Sequence, residues 1–296
     1  SRPSHGQMSA GDGRGRLTPY LVGLPGGLWL AIFFVIPILV MLSLSLQSGN
    51  AEEGFRFTWE WSNYADAWEF YSTQFIRSIV YALIVTALCL VLAYPMAYWI
   101  AFYGGARKST YLFLILLPFF VSFVIRTASW KFILNDQGFV FGPLKDAGLL
   151  PDDFHILATS TAVIGGLTYN YLPFMVLPLY VALERIDPSL VEAAYDLFAS
   201  RAQAFRKVVF PLSLPGVFAG VLITFVPVAS DFVNSGILGG TQTTMIGNVI
   251  QTVYLNNNDY PLASAMSFML MAALLIGIFA YARALGTEQV MEVSQA

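Results

Sequence analysis

Apolar residues in this chain come in long blocks, with the polar residues gathered between them. The blocks lie at roughly 19–46, 74–103, 110–134, 157–183, 213–238 and 262–285, and each meets the about 20 residues that an α-helix needs to cross a bilayer. The pattern predicts an all-α polytopic membrane protein with six transmembrane helices. Pro25, Pro37, Pro95, Pro118, Pro173, Pro178 and Pro227 fall inside the blocks. In a membrane such residues kink a helix without ending it, because neighbouring helices satisfy the freed backbone groups.

Composition agrees. Of 296 residues, 57% are hydrophobic and 11% charged, where a soluble domain carries about 25% charged residues. The net charge of −3 matters less than where the charges fall. Cys89 is the one cysteine, so an intrachain disulfide and a cysteine metal cluster are both excluded, and it reads as a packing residue. His5 and His155 are too far apart in the chain to suggest a metal site. The opening residues, SRPSHGQMSAGDGRGR, read as a disordered tail over 1–17. Arg14 and Arg16 precede a block too long for a cleavable signal, which predicts an uncleaved first span with its basic end inside.

Sidedness follows from Lys and Arg near the span ends. With the N-terminus inside, the cytoplasmic parts hold Arg14, Arg16, Arg107, Lys108, Arg185, Arg201, Arg206, Lys207 and Arg283. The outer segments hold Glu52, Glu53, Glu60, Asp66, Glu69, Asp136, Asp146, Asp152 and Asp153, with few cations. Both termini are therefore expected inside the cell, the chain being a multi-pass membrane protein. Trp59, Trp61 and Trp68 suit an amphipathic element at the outer interface.

The segment between the fourth and fifth blocks is the most polar cytoplasmic stretch. Asp187-Pro188-Ser189 is a helix start, with proline at the first helical position. A short amphipathic helix is expected from Ser189 to about Ala199, with Ala193 and Ala194 as a low-profile face and Leu190, Tyr195 and Leu197 as apolar contacts. A second, from about Ser200 to Val209, carries Arg201, Arg206 and Lys207 and is expected to stop at Pro211 and Pro215.

The run EAAYDLFAS…AFRKVVFPLSLPG, starting at Glu192, resembles the EAA loop of permease subunits of binding-protein-dependent ABC importers. The resemblance extends over roughly residues 20–285. It implies the type I importer permease fold in the inner membrane of a prokaryotic cell, with a permease domain over 18–286, a coupling loop over 184–212 and a cytoplasmic tail over 287–296. It further implies that Glu192, Ala193 and Ala194 dock into a cytoplasmic ATPase, while Asp196, Leu197 and Pro211 shape the loop. The family pattern has glycine where Phe198 stands. Glycine takes a positive φ freely; phenylalanine does so at a steric cost.

Three further runs, FVIRTASWKFIL, YLPFMVLPLYVALERID and DFVNSGILGGTQTTMIGNVI, resemble the spermidine/putrescine branch of these permeases. An acid at membrane depth usually faces a bundle interior or a water-filled cavity. Asp231 therefore either lines the translocation path, meeting a polyamine ammonium, or pairs with Arg126 or Lys131 near the outer boundary. Tyr169 and Asn170 either line the path or bond between helices. Arg126 and Trp130 either meet the binding protein or outer gate, or serve as interfacial anchors. Gly236, Gly239, Gly240 and Gly247 suggest a break after the fifth span, or ordinary loop punctuation.

No phosphate-binding glycine–lysine motif is present, so the chain itself is expected to bind no cofactor. The resemblance implies ATP and Mg on two separate ATPase subunits, a second, paralogous permease, and an extracytoplasmic polyamine-binding protein. Within that reading another solute (a sugar, oxyanion or metal complex) is the alternative to a polyamine. A stand-alone secondary transporter would show buried proton relays or repeated halves. An intramembrane enzyme would need a nucleophile–base pair or metal ligands at membrane depth. Neither pattern is visible.

Overall fold

A computed structural model describes residues 18–285 apart from Ala51 and Asp152. The expected tails at 1–17 and 287–296 lie outside the described residues. Five helices are long and apolar enough to cross a membrane, and a sixth span is reached if one bent pair counts as a span.

The first span is α1 (Thr18–Leu30) and α2 (Ile36–Ser45), joined by a π-helical turn at Ala31–Val35. Its apolar stretch, Leu24–Ser45, lies almost wholly outside the core. A hairpin follows, β1 (Gln47–Asn50) antiparallel to β2 (Gly54–Phe57), with Gln47 opposite Phe57 and Asn50 opposite Gly54. The hairpin is the single departure from an all-α architecture among the described residues. It is held to the next helix by Asn63, whose side chain donates to the carbonyls of Ser45 (3.0 Å) and Gln47 (2.9 Å).

Helix α3 (Ser62–Tyr103) has 42 residues, or roughly 63 Å at 1.5 Å per residue. That is about twice the apolar thickness of a bilayer, so the second span is longer than the apolar block alone indicated. Trp68, expected in a separate interfacial element, lies on this helix. Ala82, Val85, Cys89, Ala93 and Ala97 recur every three or four positions and are each fully buried. This low-profile stripe lets α3 lie against α7 (Ser160–Glu184) and α10 (Phe210–Ala229), and the three form the centre of the molecule. Van der Waals packing of small residues is what holds helices together where lipid is as apolar as the side chains. Cys89 packs in this interface, its Sγ 3.6 Å from the Thr168 carbonyl.

The third block is not one helix. Gly105–Phe120, comprising α4 (Lys108–Leu116) and 3₁₀ turns, meets α5 (Phe123–Leu134) at 87°. Pro118 is the second residue of a 3₁₀ turn at Leu117–Phe120, and Val121–Ser122 is extended. Proline removes a backbone donor and the tighter turn cannot continue the α ladder. A short helix, α6 (Phe141–Asp146), follows in the segment before α7.

The fifth block also ends early. α10 stops at Ala229, and Ser230–Phe232 links it to α11 (Val233–Leu238), a 3₁₀ turn at Thr241–Thr243 and α12 (Ile246–Leu255). The expected break is present, but it begins before the glycines. Gly247 permits the close return of this segment: a Cβ there would meet the carbonyl oxygens of Ser230 at 2.5 Å and Asp231 at 2.9 Å. α13 (Tyr260–Leu285) is the last span.

Candidate translocation site and coupling loop

The loop between α7 and α10 is built by local signals. Asp187 accepts from the Ser189 amide at 2.9 Å and Pro188 opens α8 (Pro188–Asp196). That backbone bond holds the Asp187 carboxyl below its ordinary range. α9 (Arg201–Ala204) begins with a capping box in which Ser200 and Gln203 bond each other's amides. α9 does not stop at the prolines. It runs through a π-helical turn, Phe205–Val209, straight into α10. The wider turn shifts the Phe210 amide to the Phe205 carbonyl, so Pro211 enters the helix at a position where the ordinary ladder is already displaced.

Between α8 and α9 the chain turns on Phe198, with φ +59°. This is the left-handed conformation that glycine adopts without steric cost. Phe198 is 96% exposed and Leu197 82% exposed, so no packing within this chain compensates the strain. Glu192, Ala193 and Asp196 are likewise exposed and Ala194 half-buried. All lie in the segment between α7 and α10, and Pro211, also exposed, is the second residue of α10.

A second cluster lies where both broken spans meet α7. Asp231 occupies the link after α10, only 6% exposed. Its Oδ1 accepts from the amides of Asn234 (2.8 Å) and Ser235 (3.3 Å), and its Oδ2 from Asn234 Nδ2 (3.0 Å). The carboxylate thus caps α11. A carboxylate offers about four lone-pair sites, so acceptor capacity remains on Oδ2. The ion pairs among the described residues are Lys108–Glu184 and Lys145–Asp136. Asp231 does not pair with Arg126 or Lys131, which removes that alternative. Tyr171 lies within electrostatic range of Asp231.

Asn234 passes the network on. Its Oδ1 accepts from Asn170 Nδ2 at 2.7 Å and lies 3.1 Å from the Thr127 hydroxyl, which itself accepts from Asn170 at 3.0 Å. Asn170, Thr127 and Asn234 are fully buried. The amide of Asn170 therefore joins α7 to α5 and α11, the helix-bonding alternative of the two. Tyr169, half-buried beside it, meets Trp130 edge to face at 5.3 Å. Arg126 is 8% exposed and stacks over Phe119 at 4.0 Å, with Phe123 and Tyr169 near 6 Å.

With this geometry in place, the comparisons are informative. Residues 93–285 match the family described as "binding-protein-dependent transport system inner membrane component". The chain belongs to that family. It is the permease subunit of an ABC importer, an inner-membrane protein that works with ATPase and binding-protein subunits and has no catalytic activity of its own. Spermidine/putrescine transport system permease protein PotB of Haemophilus influenzae is 36% identical over 257 residues, covering 86% of this chain and 90% of that protein. PotB of Escherichia coli is 35% identical over 257 residues, covering 86% and 94%. A bacterial ABC transporter involved in import of the acidic polysaccharide alginate has the same fold, with TM-score 0.69 at 21% identity, covering 92% of this chain and 96% of that one.

Sequence reasoning about this permease missed Thr127 and Asn234, whose bonds to each other and to Asn170 span 43 to 107 residues and leave no local signature. It also missed Gly216 and Gly220. A Cβ on Gly216 would meet Ala182 Cβ at 2.5 Å and the Pro178 carbonyl at 2.7 Å; one on Gly220 would meet Met175 Sδ at 2.6 Å. Their four-residue spacing is the small-xxx-small pattern of close membrane helix pairs, a signal present in the sequence.

Proposed function

We propose that this permease imports polyamines of the spermidine/putrescine class, delivered by an extracytoplasmic binding protein. The observation that carries the reading is Asp231: a buried carboxylate, in a break of a span, without a basic partner among the described residues and with acceptor capacity left. A carboxylate beside aromatic faces stabilises an ammonium group through charge and cation–π attraction. Similarity to the PotB proteins over most of the chain supports the same solute class. Tyr169 and Asn170 complete this part of the path, Asn170 by holding α5, α7 and α11 in register. Arg126 and Trp130 belong to the outer gate or binding-protein contact.

On the cytoplasmic side, Glu192, Ala193, Ala194, Asp196, Leu197, Phe198 and Pro211 couple the permease to an ATPase that binds ATP and Mg. The functional unit has a second, paralogous permease and two ATPase subunits, and both termini of this chain face the cytoplasm. Closure of the ATPases moves the two coupling loops and rocks the permeases between inward-open and outward-open states, a rigid-body transition. Because α9 and α10 form one continuous helix, displacement of the loop is transmitted to the link that carries Asp231.

The test is ATPase activity of the complex in lipid, with binding protein added with and without spermidine or putrescine. Stimulation by the liganded binding protein alone is expected. Stimulation by a different solute would retain the importer and refute the polyamine; failure to associate with any ATPase would refute the coupling assignment.

A further inference from the structure

Among the described residues nothing answers the charge of Arg126. The residue is only 8% exposed. Nε and Nη1 are buried with no hydrogen-bond partner. Neither ion pair among the described residues involves it. Its near neighbours are rings, Phe119 at 4.0 Å and Phe123 and Tyr169 at about 6 Å. The ring faces attract the cation but accept none of its planar N–H bonds.

Position aggravates the imbalance. Arg126 lies in the first turn of α5 (Phe123–Leu134), at the positive end of the helix dipole, where anions are favoured and cations are not. Helical side chains lean back toward the amino end, and the stacking on Phe119 places the guanidinium over the break. The preceding half-span, Gly105–Phe120, rises roughly 25 Å from its cytoplasmic end. The break is therefore still inside the about 30 Å apolar layer. The surrounding surface is apolar too: Phe120, Val121, Val124 and Ile125 are 79%, 48%, 52% and 61% exposed.

We propose that Arg126 is one half of an ion pair whose carboxylate is supplied by the second permease, across the subunit interface. Lipid tails at this depth offer no acceptor. A polyamine is itself a cation and cannot be the counter-charge. Of the outer gate and the binding-protein contact, the flanking apolar face favours a gate formed with a helix of another membrane subunit over the water-facing surface of a binding protein. What exposure Arg126 keeps is where one Asp or Glu on the facing helix meets the guanidinium and answers its charge. The pair would join the wall of one permease to the other beside the Asn170–Thr127–Asn234 cluster, where relative movement of the two halves is felt.

This rests on the reading that the chain works beside a second permease, and the two are separable by experiment. Wild-type chain is co-expressed with the second permease and the ATPases, and recovery of the complex on an affinity tag is measured. A wild-type chain that comes away without a second permease refutes both. Arg126→Glu is expected to lower recovery at least about tenfold, since removing one member of a buried pair strands the other. A Glu→Lys or Asp→Lys change at one position of the second permease is expected to restore it. Arg126→Gln, neutral and of similar shape, is expected to fall between. Should Arg126→Glu fail to fold, Arg126→Cys is oxidatively cross-linked to cysteines placed beside acidic residues of the second permease; native Cys89 is buried. Wild-type recovery for both Gln and Glu variants, rescue only by the binding protein, or no cross-link to any acidic neighbourhood would overturn the proposal.

Discussion

Replacing Phe198 by glycine should stabilise the coupling loop, although it removes a large aromatic side chain. The residue sits at φ +59°, a conformation that costs an L-residue about 1–2 kcal/mol and glycine almost nothing. Phe198 is 96% exposed, so the substitution forfeits no packing within the chain. Glycine also enlarges the freedom of the opened loop, which takes back about 0.4–1 kcal/mol. The net gain is about 0.5–1 kcal/mol, equivalent to about a two- to fivefold shift in the local opening equilibrium. The turn is closed by three amides, Leu197 to Ala193, Phe198 to Tyr195 and Ala199 to Ala194, at 3.2, 2.9 and 3.0 Å. Hydrogen exchange at the Ala199 amide, corrected for intrinsic rates, should slow by that factor in Phe198→Gly. Phe198→Ala is the control, because alanine removes the ring but keeps the steric cost of positive φ. Faster exchange at Ala199 in the glycine variant, or equal slowing by alanine, would refute backbone strain as the cause. In the assembled importer, the same pair of variants separates conformation from contact: loss of ATPase association with both means that the ring itself is required.

Asp231→Asn should reduce polyamine uptake by about ten- to a hundredfold, the worth of one hydrogen bond to a charged group, while subunits still co-purify; unchanged uptake would remove Asp231 from the path. Asn234→Leu should destabilise the detergent-solubilised chain by about 1–3 kcal/mol for each buried partner left unsatisfied, read as a fall in the unfolding midpoint, because both Asp231 and Asn170 bond to its amide. Gly216→Ala should lower the same midpoint, since its Cβ meets Ala182 and Pro178 below contact distance and overpacking costs about 1–3 kcal/mol; a midpoint that holds or rises would mean that α7 and α10 can separate freely. Acidification should fray α8 at its start. The Asp187 carboxyl is held below its ordinary value by the Ser189 amide, so its capping contribution is present above the ordinary carboxylate range and is lost as pH falls through the lowered value. Exchange at the Ser189 amide should accelerate there, and Asp187→Ala should abolish the pH dependence.

Some features of this protein were legible because their causes are local. Block length alone marks where the chain crosses the bilayer, since every backbone group must be satisfied within a helix there. Asp187-Pro188 starts α8 because a side-chain oxygen and a missing amide act within one turn. Phe198 stands at a positive φ where four residues, Leu197 to Ser200, join α8 to α9, the position at which the resemblance had led glycine to be expected. Where several local signals compete, the outcome was not readable. Pro118 breaks its span to 87°, whereas Pro95, Pro173, Pro178 and Pro227 stay within helices, and Pro211 is absorbed by a π turn. What differs is the packing around each proline, which decides whether freed groups find partners. The polar site belongs wholly to that tertiary level. Asp231 and Asn170 looked like path-lining candidates by depth, but depth does not say which neighbours they meet. The fold brings Thr127, Asn170 and Asn234 together from three separate elements. The same convergence leaves Arg126 buried among rings with N–H groups unanswered. Local chemistry determines which segments become helices; only the meeting of those helices determines which charges are satisfied and which still require a partner.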